Sequence, residues 1–319
     1  MNNLKKIFSE NILVQSNLIK IKKNHLTNTK KNQLQTKDAF SVKWEKFEEG
    51  NRKNKVYEFH RNWFLALYGF SSEDELKIYL KGKKIILDAG CGLGYKAAWL
   101  AKLAPHSTVI GIDISKAALI AASNYKYLDN LYFMKGDISA TGILANKIDF
   151  TICDQVIMHT EYPEKTFAHL TDITNIGGEF ACYVYKKKAL PRELLDDYFR
   201  EATFSISNED LWEMSSQLTE LGKRLSQLNL SFESPDIPLL GIKGGKYDIQ
   251  RFLYWNFIKC FWREDWGRDM CDTTNFDWYA PSNAKRFSKE EYLALIKENC
   301  LEITSFHEEE SCFSGRFKK

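Results

Sequence analysis

Three acidic residues, each placed where a predicted strand ends, are the residues of this chain best suited to bind a small ligand. Asp88 ends the apolar run KKIILDAG, Asp113 ends the run STVIGIDIS, and Asp137 follows LYFMK in the sequence KGDIS. The carboxyl ends of neighbouring parallel strands meet at one edge of a sheet, so we expect the three carboxylates to lie together. Carboxylates in that position can accept hydrogen bonds from hydroxyl and amino groups and attract a cationic ligand.

Glycines follow the first of these acids, in the sequence LDAGCGLG. Gly90, Gly92 and Gly94 lie between the predicted strand and a predicted helix, YKAAWLAKLA. Glycine permits conformations and close approaches that a Cβ atom would prevent, and N–H groups at the start of a helix can face a ligand. We therefore expect bare backbone N–H groups to meet a ligand at this loop.

Two classes of nucleotide cofactor fit a glycine loop of this kind. The string GLGYKA satisfies the GxGxxG/A pattern of NAD and FAD enzymes, which is a weak signal by itself. Asp88 favours the other class, because a carboxylate repels a diphosphate and attracts a cationic amino-acid moiety. An NAD- or FAD-dependent oxidoreductase stays open as the alternative.

The motifs LDAGCGLG, GIDIS and KGDIS, in this order, resemble those of the class I S-adenosylmethionine-dependent methyltransferases, from Lys84 to about Tyr185 and again in the final strands. The resemblance implies an α/β, Rossmann-like fold with a mostly parallel seven-stranded sheet and helices on both faces. It also implies that Asp88 and the glycines hold the methionine end of S-adenosylmethionine, that Asp113 binds the ribose and that Asp137 binds the adenine. The residues expected to contact this cofactor are Asp88, Gly90, Cys91, Gly92, Gly94, Asp113, Ile114, Asp137, Ile138 and Gln155.

Short strands and helices alternate along the middle of the chain, which predicts a parallel sheet covered by helices. The alternation stops after Tyr185, and it resumes with a helix over Ser288 to Glu298 and the strands LEITSFH and SCFSGRF. We expect five segments: a basic, mobile arm at 1–40, helices over the site at 41–82, the cofactor-binding core at 83–185, a helical substrate-binding insertion after the fifth strand at 186–287, and the remainder of the core at 288–319.

Methyl transfer is an in-line substitution, so the protein must mainly hold the acceptor near the methyl group and exclude water. The fourth predicted strand is followed by DQVIMHTEYP, where Gln155 is placed to line the cofactor pocket. His159 is the candidate catalytic base, because the ordinary pKa of histidine lies near neutrality. A purely structural role for His159 is equally open.

The insertion is expected to select the methyl acceptor. In YDIQRFLYWNFIKCFW, Arg251, Trp255 and Lys259 are spaced by four residues, so a helix would present them along one face. Cations beside aromatic rings suit a sugar, a carboxylate or a phosphate, whereas buried aromatics with solvated cations are the alternative. The residues expected to contact substrate are Tyr185, Lys186, Arg251, Tyr254, Trp255, Lys259, Asp277, Trp278 and Tyr279.

These inserted strings, together with FSVKW, are similar to those of bacterial methyltransferases that accompany surface-glycan or small-metabolite genes. The similarity implies a small-molecule or saccharide acceptor, and we expect it to be methylated by direct substitution without a metal. It names no particular molecule.

Composition limits which kinds of partner, cellular location and metal site are expected. The net charge of +3 argues against nucleic acid as a partner, although the Lys- and Asn-rich N-terminal segment keeps an RNA-modifying methyltransferase as a second alternative. The sequence has no apolar run long enough to span a membrane and no signal-peptide pattern, so we expect a cytoplasmic location. The seven cysteines include no CxxC pair, which predicts reduced and mostly buried thiols rather than a metal site.

Overall fold

The computed structural model describes residues 2–21, 31–49 and 53–319, which form two compact units. Unit 1 comprises Met1–Leu34, Tyr57–Lys186 and Lys285–Lys319. Unit 2 comprises Gln35–Val56 and Lys187–Ala284. The helices expected at 41–82 are therefore divided between the two units. The assignment of the inserted residues to substrate binding stays a prediction.

The strands are β1 (Ile12–Gln15), β2 (Leu18–Ile21), β3 (Ile85–Ala89), β4 (Thr108–Asp113), β5 (Leu131–Lys135), β6 (Ile148–Cys153), β7 (Thr174–Lys186), β8 (Ser231–Ser234), β9 (Gly245–Asp248), β10 (Arg286–Phe287), β11 (Glu302–Glu308) and β12 (Cys312–Lys318). The helices are α1 (Asn2–Lys5), α2 (Lys31–Glu49), α3 (Lys53–Leu67), α4 (Glu73–Leu80), α5 (Tyr95–Leu103), α6 (Ala117–Asn124), α7 (Pro163–Ile173), α8 (Leu190–Ala202), α9 (Asn208–Gln227), α10 (Ile249–Asn256), α11 (Arg268–Tyr279) and α12 (Lys289–Glu298).

Unit 1 is built on a ten-stranded sheet in the order β1-β2-β5-β4-β3-β6-β7-β12-β11, with β10 paired to β7. The strands from β2 to β7 in this order are parallel, whereas β12 runs antiparallel to both β7 and β11. The seven strands from β5 to β11 form the mostly parallel seven-stranded sheet that the motifs imply. Strands β1, β2 and β10 are additions to it.

Both faces of this sheet are buried. Successive residues of β3 enter different apolar cores, with Ile86 in one and Leu87 in the other. Helix α7 contributes Phe167 to the core on one face, and α5 contributes Leu100 to the core on the other. Strands covered on both faces read as continuous apolar runs, which explains the composition of KKIILDAG and STVIGIDIS.

Residues 2–21 differ from the expected mobile arm. Strand β2 pairs in parallel with β5, and Leu4, Ile7, Phe8 and Ile19 are buried in one of the sheet's two cores. The Lys- and Asn-rich residues 22–30 lie outside the described part of the chain. The described N-terminal residues are therefore an edge of the unit 1 sheet.

Unit 2 contains most of α2, the helices α8 to α11 and the antiparallel hairpin of β8 and β9. Helix α10 ends at Asn256, so Lys259 does not continue the helical face of Arg251 and Trp255, and the prediction of one face is wrong. Tertiary hydrogen bonds draw the following residues away from the helix. The side chain of Gln250 donates to the carbonyl of Cys260 at 2.8 Å, and the backbone N–H of Phe261 donates to the side-chain oxygen of Asn275 at 2.8 Å.

The cysteines are reduced in the described structure, and six of the seven are buried, Cys300 being exposed. Burial raises the pKa of the Cys91 and Cys153 thiols well above the ordinary value, which is unsuited to a nucleophile. Among the helices of the described residues, none has the length and apolar character needed to cross a membrane.

Candidate active site

The carboxyl ends of β3, β4 and β5 bring the three predicted acids to one edge of the sheet. Asp88 is paired with Gly111 of β4 in the sheet register, and the backbone N–H of Gly136 donates to the carbonyl of Asp113 at 3.0 Å, directly before Asp137. Asp88 and Asp113 are buried, and Asp137 is half-buried.

The glycine loop uses its N–H groups within the protein. The N–H groups of Gly90 and Cys91 donate to the carbonyl of Ile112 at 2.7 and 2.9 Å, and that of Gly94 donates to the carbonyl of Cys91 at 2.9 Å. The N–H of Gly92 donates to Asp113 Oδ2 at 2.9 Å. The expectation of bare N–H groups at these four residues is wrong, because the loop closes onto the end of β4.

Gly90 and Gly94 are needed for the backbone conformation of this closed loop and for the close packing of side chains against it. Gly90 has φ +84° and Gly94 has φ +77°, in the left-handed region that favours glycine. A Cβ atom on Gly90 would lie 2.3 Å from Val156 Cγ1, and one on Gly94 would lie 2.6 Å from Phe133 Cε1. At these two positions the close approach is made by the protein's own side chains.

A buried ion cluster lies behind the loop. Lys96 Nζ lies 2.8 Å from Asp154 Oδ2 and 3.6 Å from Asp88 Oδ1, and the Tyr68 hydroxyl donates to Asp154 Oδ1 at 2.9 Å. Burial disfavours the charged ammonium of Lys96, but Asp154 and Asp88 outweigh this effect and raise the pKa of Lys96. With both carboxylates ionised, the cluster has two negative charges and one positive charge.

Asp88 is the member of this cluster with unused acceptor capacity. Neither of its carboxylate oxygens has a hydrogen-bond partner in the described structure, and the side chain is completely buried. Burial raises the pKa of Asp88, and the neighbouring Lys96 ammonium only partly offsets that rise. A cationic ligand beside the loop would stabilise the ionised carboxylate.

Asp113 and Asp137 offer acceptors of different capacity. Asp113 Oδ1 accepts from the N–H and hydroxyl of Ser115 at 2.8 and 2.6 Å, so the remaining acceptor position of Asp113 is on Oδ2. With Gly92 already donating to Oδ2, Asp113 has one acceptor position left. Asp137 Oδ1 accepts from the N–H of Ser139 at 2.9 Å, and no described residue donates to Asp137 Oδ2. Ile138 is buried beside it, and Ile114 is half-buried after Asp113.

The turn after β6 carries the predicted base. Gln155 has φ +63°, a conformation that costs energy for a residue with a side chain and that is concentrated at functional sites. His159 is buried, and its Nε2 lies 3.3 Å from the Tyr185 hydroxyl at the end of β7. Lys186, the next residue of β7, pairs with Glu308 at 2.6 Å.

Tyr68, Lys96 and Asp154 were not among the site residues predicted from the sequence. A lysine in the first turn of α5 conflicts with the helix dipole, which disfavours a cation there. That conflict was the available signal that Lys96 has buried acidic partners. The sequence contains no local sign that those partners are Asp88 and Asp154.

The remaining predicted substrate residues lie in unit 2, namely Arg251, Tyr254, Trp255, Lys259, Asp277, Trp278 and Tyr279. Tyr254, Trp278 and Tyr279 are buried, as the packing alternative requires, but Lys259 is buried with them. The guanidinium carbon of Arg251 lies 5.5 Å from the Tyr254 ring centroid, so cations and aromatic rings do adjoin in this unit.

Comparison with known proteins supports a methyltransferase. Trans-aconitate 2-methyltransferase of Deinococcus radiodurans is 32% identical over 99 residues, which are 31% of this chain and 37% of that protein. An uncharacterized protein of Synechococcus is 32% identical over 108 residues, which are 33% of this chain and 26% of that protein. These alignments span well under half the length of either relative.

Solved structures of methyltransferases also align with this chain, and one example covers most of it. Magnesium protoporphyrin IX methyltransferase of Synechocystis PCC 6803, solved with bound S-adenosylhomocysteine, is 15% identical with a TM-score of 0.45, covering 90% of this chain and 100% of that one.

The family described as "Methyltransferase domain" matches residues 80–249, just over half of the chain. Together with the order of the three motifs, that match shows that the chain belongs to the class I S-adenosylmethionine-dependent methyltransferases, whose cofactor is S-adenosylmethionine.

Proposed function

We propose that the chain transfers the methyl group of S-adenosylmethionine to a small-molecule or saccharide acceptor by direct substitution. The observation that carries this proposal is the buried, net-negative cluster of Asp88, Lys96 and Asp154 beside the glycine loop. A sulfonium nucleoside with an amino-acid tail carries positive charge, which this cluster attracts.

The same geometry argues against a dinucleotide. A diphosphate would need free N–H donors at the glycine loop, but the N–H groups of Gly90, Cys91, Gly92 and Gly94 already donate within the protein. The nearby carboxylates of Asp88 and Asp113 would also repel its charge. The oxidoreductase alternative is therefore disfavoured on both counts.

In this proposal, different residues of the chain bind different parts of the cofactor. Asp113 Oδ2 accepts a ribose hydroxyl, Asp137 Oδ2 accepts from the adenine amino group, and Ile138 covers the ring. Asp88 stabilises the cationic methionine end. When bound, S-adenosylmethionine supplies a methyl group activated by its positively charged sulfur, so the protein's contribution is mainly orientation and exclusion of water.

His159 is proposed as the base for an acceptor that must lose a proton. Its Nε2 lies 3.3 Å from the Tyr185 hydroxyl, which gives the imidazole a polar neighbour in an otherwise buried position. A proton from an acceptor hydroxyl or amine would pass to the imidazole as the new bond to carbon forms.

Calorimetric titration with S-adenosylhomocysteine tests the proposal. The unchanged chain should bind the nucleoside, and Asp113→Ala should weaken binding about tenfold or more, because it removes a charge-assisted hydrogen bond to the ribose. Asp129→Ala is the matched control, since Asp129 is an exposed acid of unit 1. Absence of binding by the unchanged chain, or binding of NAD in its place, would overturn the proposal.

A further inference from the structure

Three cationic side chains surround the indole ring of Trp278 in unit 2. Lys259 Nζ lies 4.7 Å from the ring centroid, and the guanidinium carbons of Arg192 and Arg200 lie 5.1 and 5.2 Å from it. All four side chains are buried, Lys259 being 8% exposed. Burying several like charges together is costly unless each is compensated.

Helix α8 places its charged residues toward the interior and its apolar residues toward solvent. Arg192, Asp196 and Arg200, spaced by four residues, are buried, whereas Leu194 is 63% exposed and Tyr198 is 74% exposed. An ordinary surface helix has the reverse arrangement, with its apolar stripe against the core. The buried face of α8 therefore carries charged side chains among aromatic ones, an arrangement that packing alone does not require.

The two other cations beside Trp278 have acidic partners, and so does Lys43, whose charge also acts on Lys259. Arg192 Nε donates to Asp196 Oδ2 at 2.8 Å, and Arg200 lies 3.8 Å from Asp197 Oδ1. Lys43 Nζ pairs with Asp277 Oδ1 at 2.7 Å. These three pairs account for three of the cations in the group.

Lys259 differs from them. Its backbone N–H donates to the Tyr279 hydroxyl at 3.0 Å, but among the described residues its Nζ has no acceptor within hydrogen-bond distance and no carboxylate within 4.0 Å, only the ring of Trp278. The pKa of Lys259 is lowered to about 7, mainly by burial; the charge of Asp277 opposes this shift and that of Arg192 adds to it. Among the three cations beside Trp278, Lys259 is therefore the one without a paired acid in the described structure.

We propose that the interior of unit 2 contains a binding site for the carboxylate of a small-molecule ligand, with Lys259 as its charged anchor and Trp278 as its apolar wall. A carboxylate carries the single negative charge that the unpaired ammonium requires and can accept its N–H donors. This inference goes beyond the proposed function and stands independently of it, because it concerns a ligand of unit 2 and not the cofactor site of unit 1.

The test is the thermal unfolding of Lys259→Met, which replaces the ammonium by an apolar side chain of similar length. Without ligand, and at a pH below the pKa of Lys259 where the ammonium form dominates, the variant should unfold at a higher temperature than the unchanged chain, because an uncompensated buried charge is removed. Sodium acetate or sodium benzoate should raise the unfolding temperature of the unchanged chain by a few degrees, relative to sodium chloride at equal ionic strength, and should not affect the variant.

Three outcomes would overturn the inference. A lower unfolding temperature for the variant without ligand would mean that Lys259 has a protein partner, for which the buried and unpartnered Asp196 Oδ1 is the candidate. The proposed site would also be ruled out if acetate and benzoate did not raise the unfolding temperature of the unchanged chain, or raised it equally in the unchanged chain and in Lys259→Met. A larger Lys259-dependent response to sodium phosphate would assign it to a phosphate ester.

The matched control is Lys223→Met. Lys223 Nζ lies 5.5 Å from the Trp262 ring centroid, so it is another lysine of unit 2 beside an indole, but it is half-buried and lies outside the Trp278 cluster. This control should keep the carboxylate response. Calorimetry of Lys259→Met with S-adenosylhomocysteine should give unchanged affinity, which separates failure of this inference from failure of the proposed function.

Discussion

The carboxylate of Asp88 is the group that we propose to interact with the cationic end of the cofactor. It is completely buried, and its nearest cation is the Lys96 ammonium at 3.6 Å, which is shared with Asp154 at 2.8 Å. Lys96 makes the burial of two carboxylates tolerable without neutralising both. The remaining negative charge is what a cationic cofactor can use.

We expect the affinity for S-adenosylmethionine to increase as pH rises through the raised pKa of Asp88. Burial raises that pKa and Lys96 only partly lowers it, so Asp88 takes up a proton at a higher pH than an ordinary aspartate. Only the ionised form attracts the cation, and bound cation lowers the pKa again, so binding releases a proton. Calorimetric titrations from acidic to neutral pH measure this slope.

Asp88→Asn provides the comparison for that slope. The amide cannot ionise, so the variant should bind about tenfold more weakly at neutral pH and should lose the part of the pH dependence that Asp88 contributes. An identical slope in the variant and the unchanged chain would assign the pH dependence to another group.

The sequence was enough to predict where the three acidic residues of the site lie, but not which residues pair with them. Asp88, Asp113 and Asp137 were predictable because strand ends and motif order both place them. Lys96 and Asp154 meet only through the fold, since Lys96 is on α5 and Asp154 follows β6. Pairing between distant parts of a chain leaves no local pattern to read.

Among the elements, the N-terminal strands were the least predictable part of the fold. Strands β1 and β2 have four residues each, too short for a clear periodic pattern, and they lie beside a Lys- and Asn-rich segment. Their place is decided by pairing with β5, a tertiary contact.

The buried N-terminal side chains lead to a stability prediction. Phe8→Ala should lower the free energy of unfolding by about 3–5 kcal/mol, because it leaves a cavity in a core of the sheet. Leu13→Ala is the matched control, since Leu13 is 55% exposed on β1, and it should change stability by less than about 0.5 kcal/mol. Urea unfolding of both variants is the measurement. Equal, small effects would support the solvated arm that the composition predicted.

Helix ends were predictable where a local signal marks them. Helix α7 begins at Pro163, and α12 begins after Ser288, which forms a capping box with Glu291. Helix α10 has a start signal, Asp248, but its end is imposed by the tertiary hydrogen bonds of Gln250 and Asn275. The apolar pattern continues past Asn256, so periodicity alone predicted a longer helix.

In the whole molecule, the two proposed ligand sites belong to different units. The proposed cofactor contacts from Asp88 to Gln155 are all in unit 1, and the proposed carboxylate anchor Lys259 is in unit 2. The chain passes between the units at residues 34/35, 56/57, 186/187 and 284/285, so unit 2 is made of two inserted segments. The sequence predicted the second of these segments from the break in alternation and had no comparable signal for the first.

Hydrogen exchange on the intact chain should separate the two sites. S-adenosylhomocysteine should slow exchange in peptides covering the glycine loop and the ends of β4 and β5, because bound ligand suppresses local opening of the residues that contact it. Sodium benzoate should instead protect peptides from α8 and α11, which carry Arg192 and Trp278. Lys259→Met should abolish the second pattern and preserve the first. Protection of the unit 1 loop by benzoate alone would place the carboxylate in the cofactor site and contradict the assignment to unit 2.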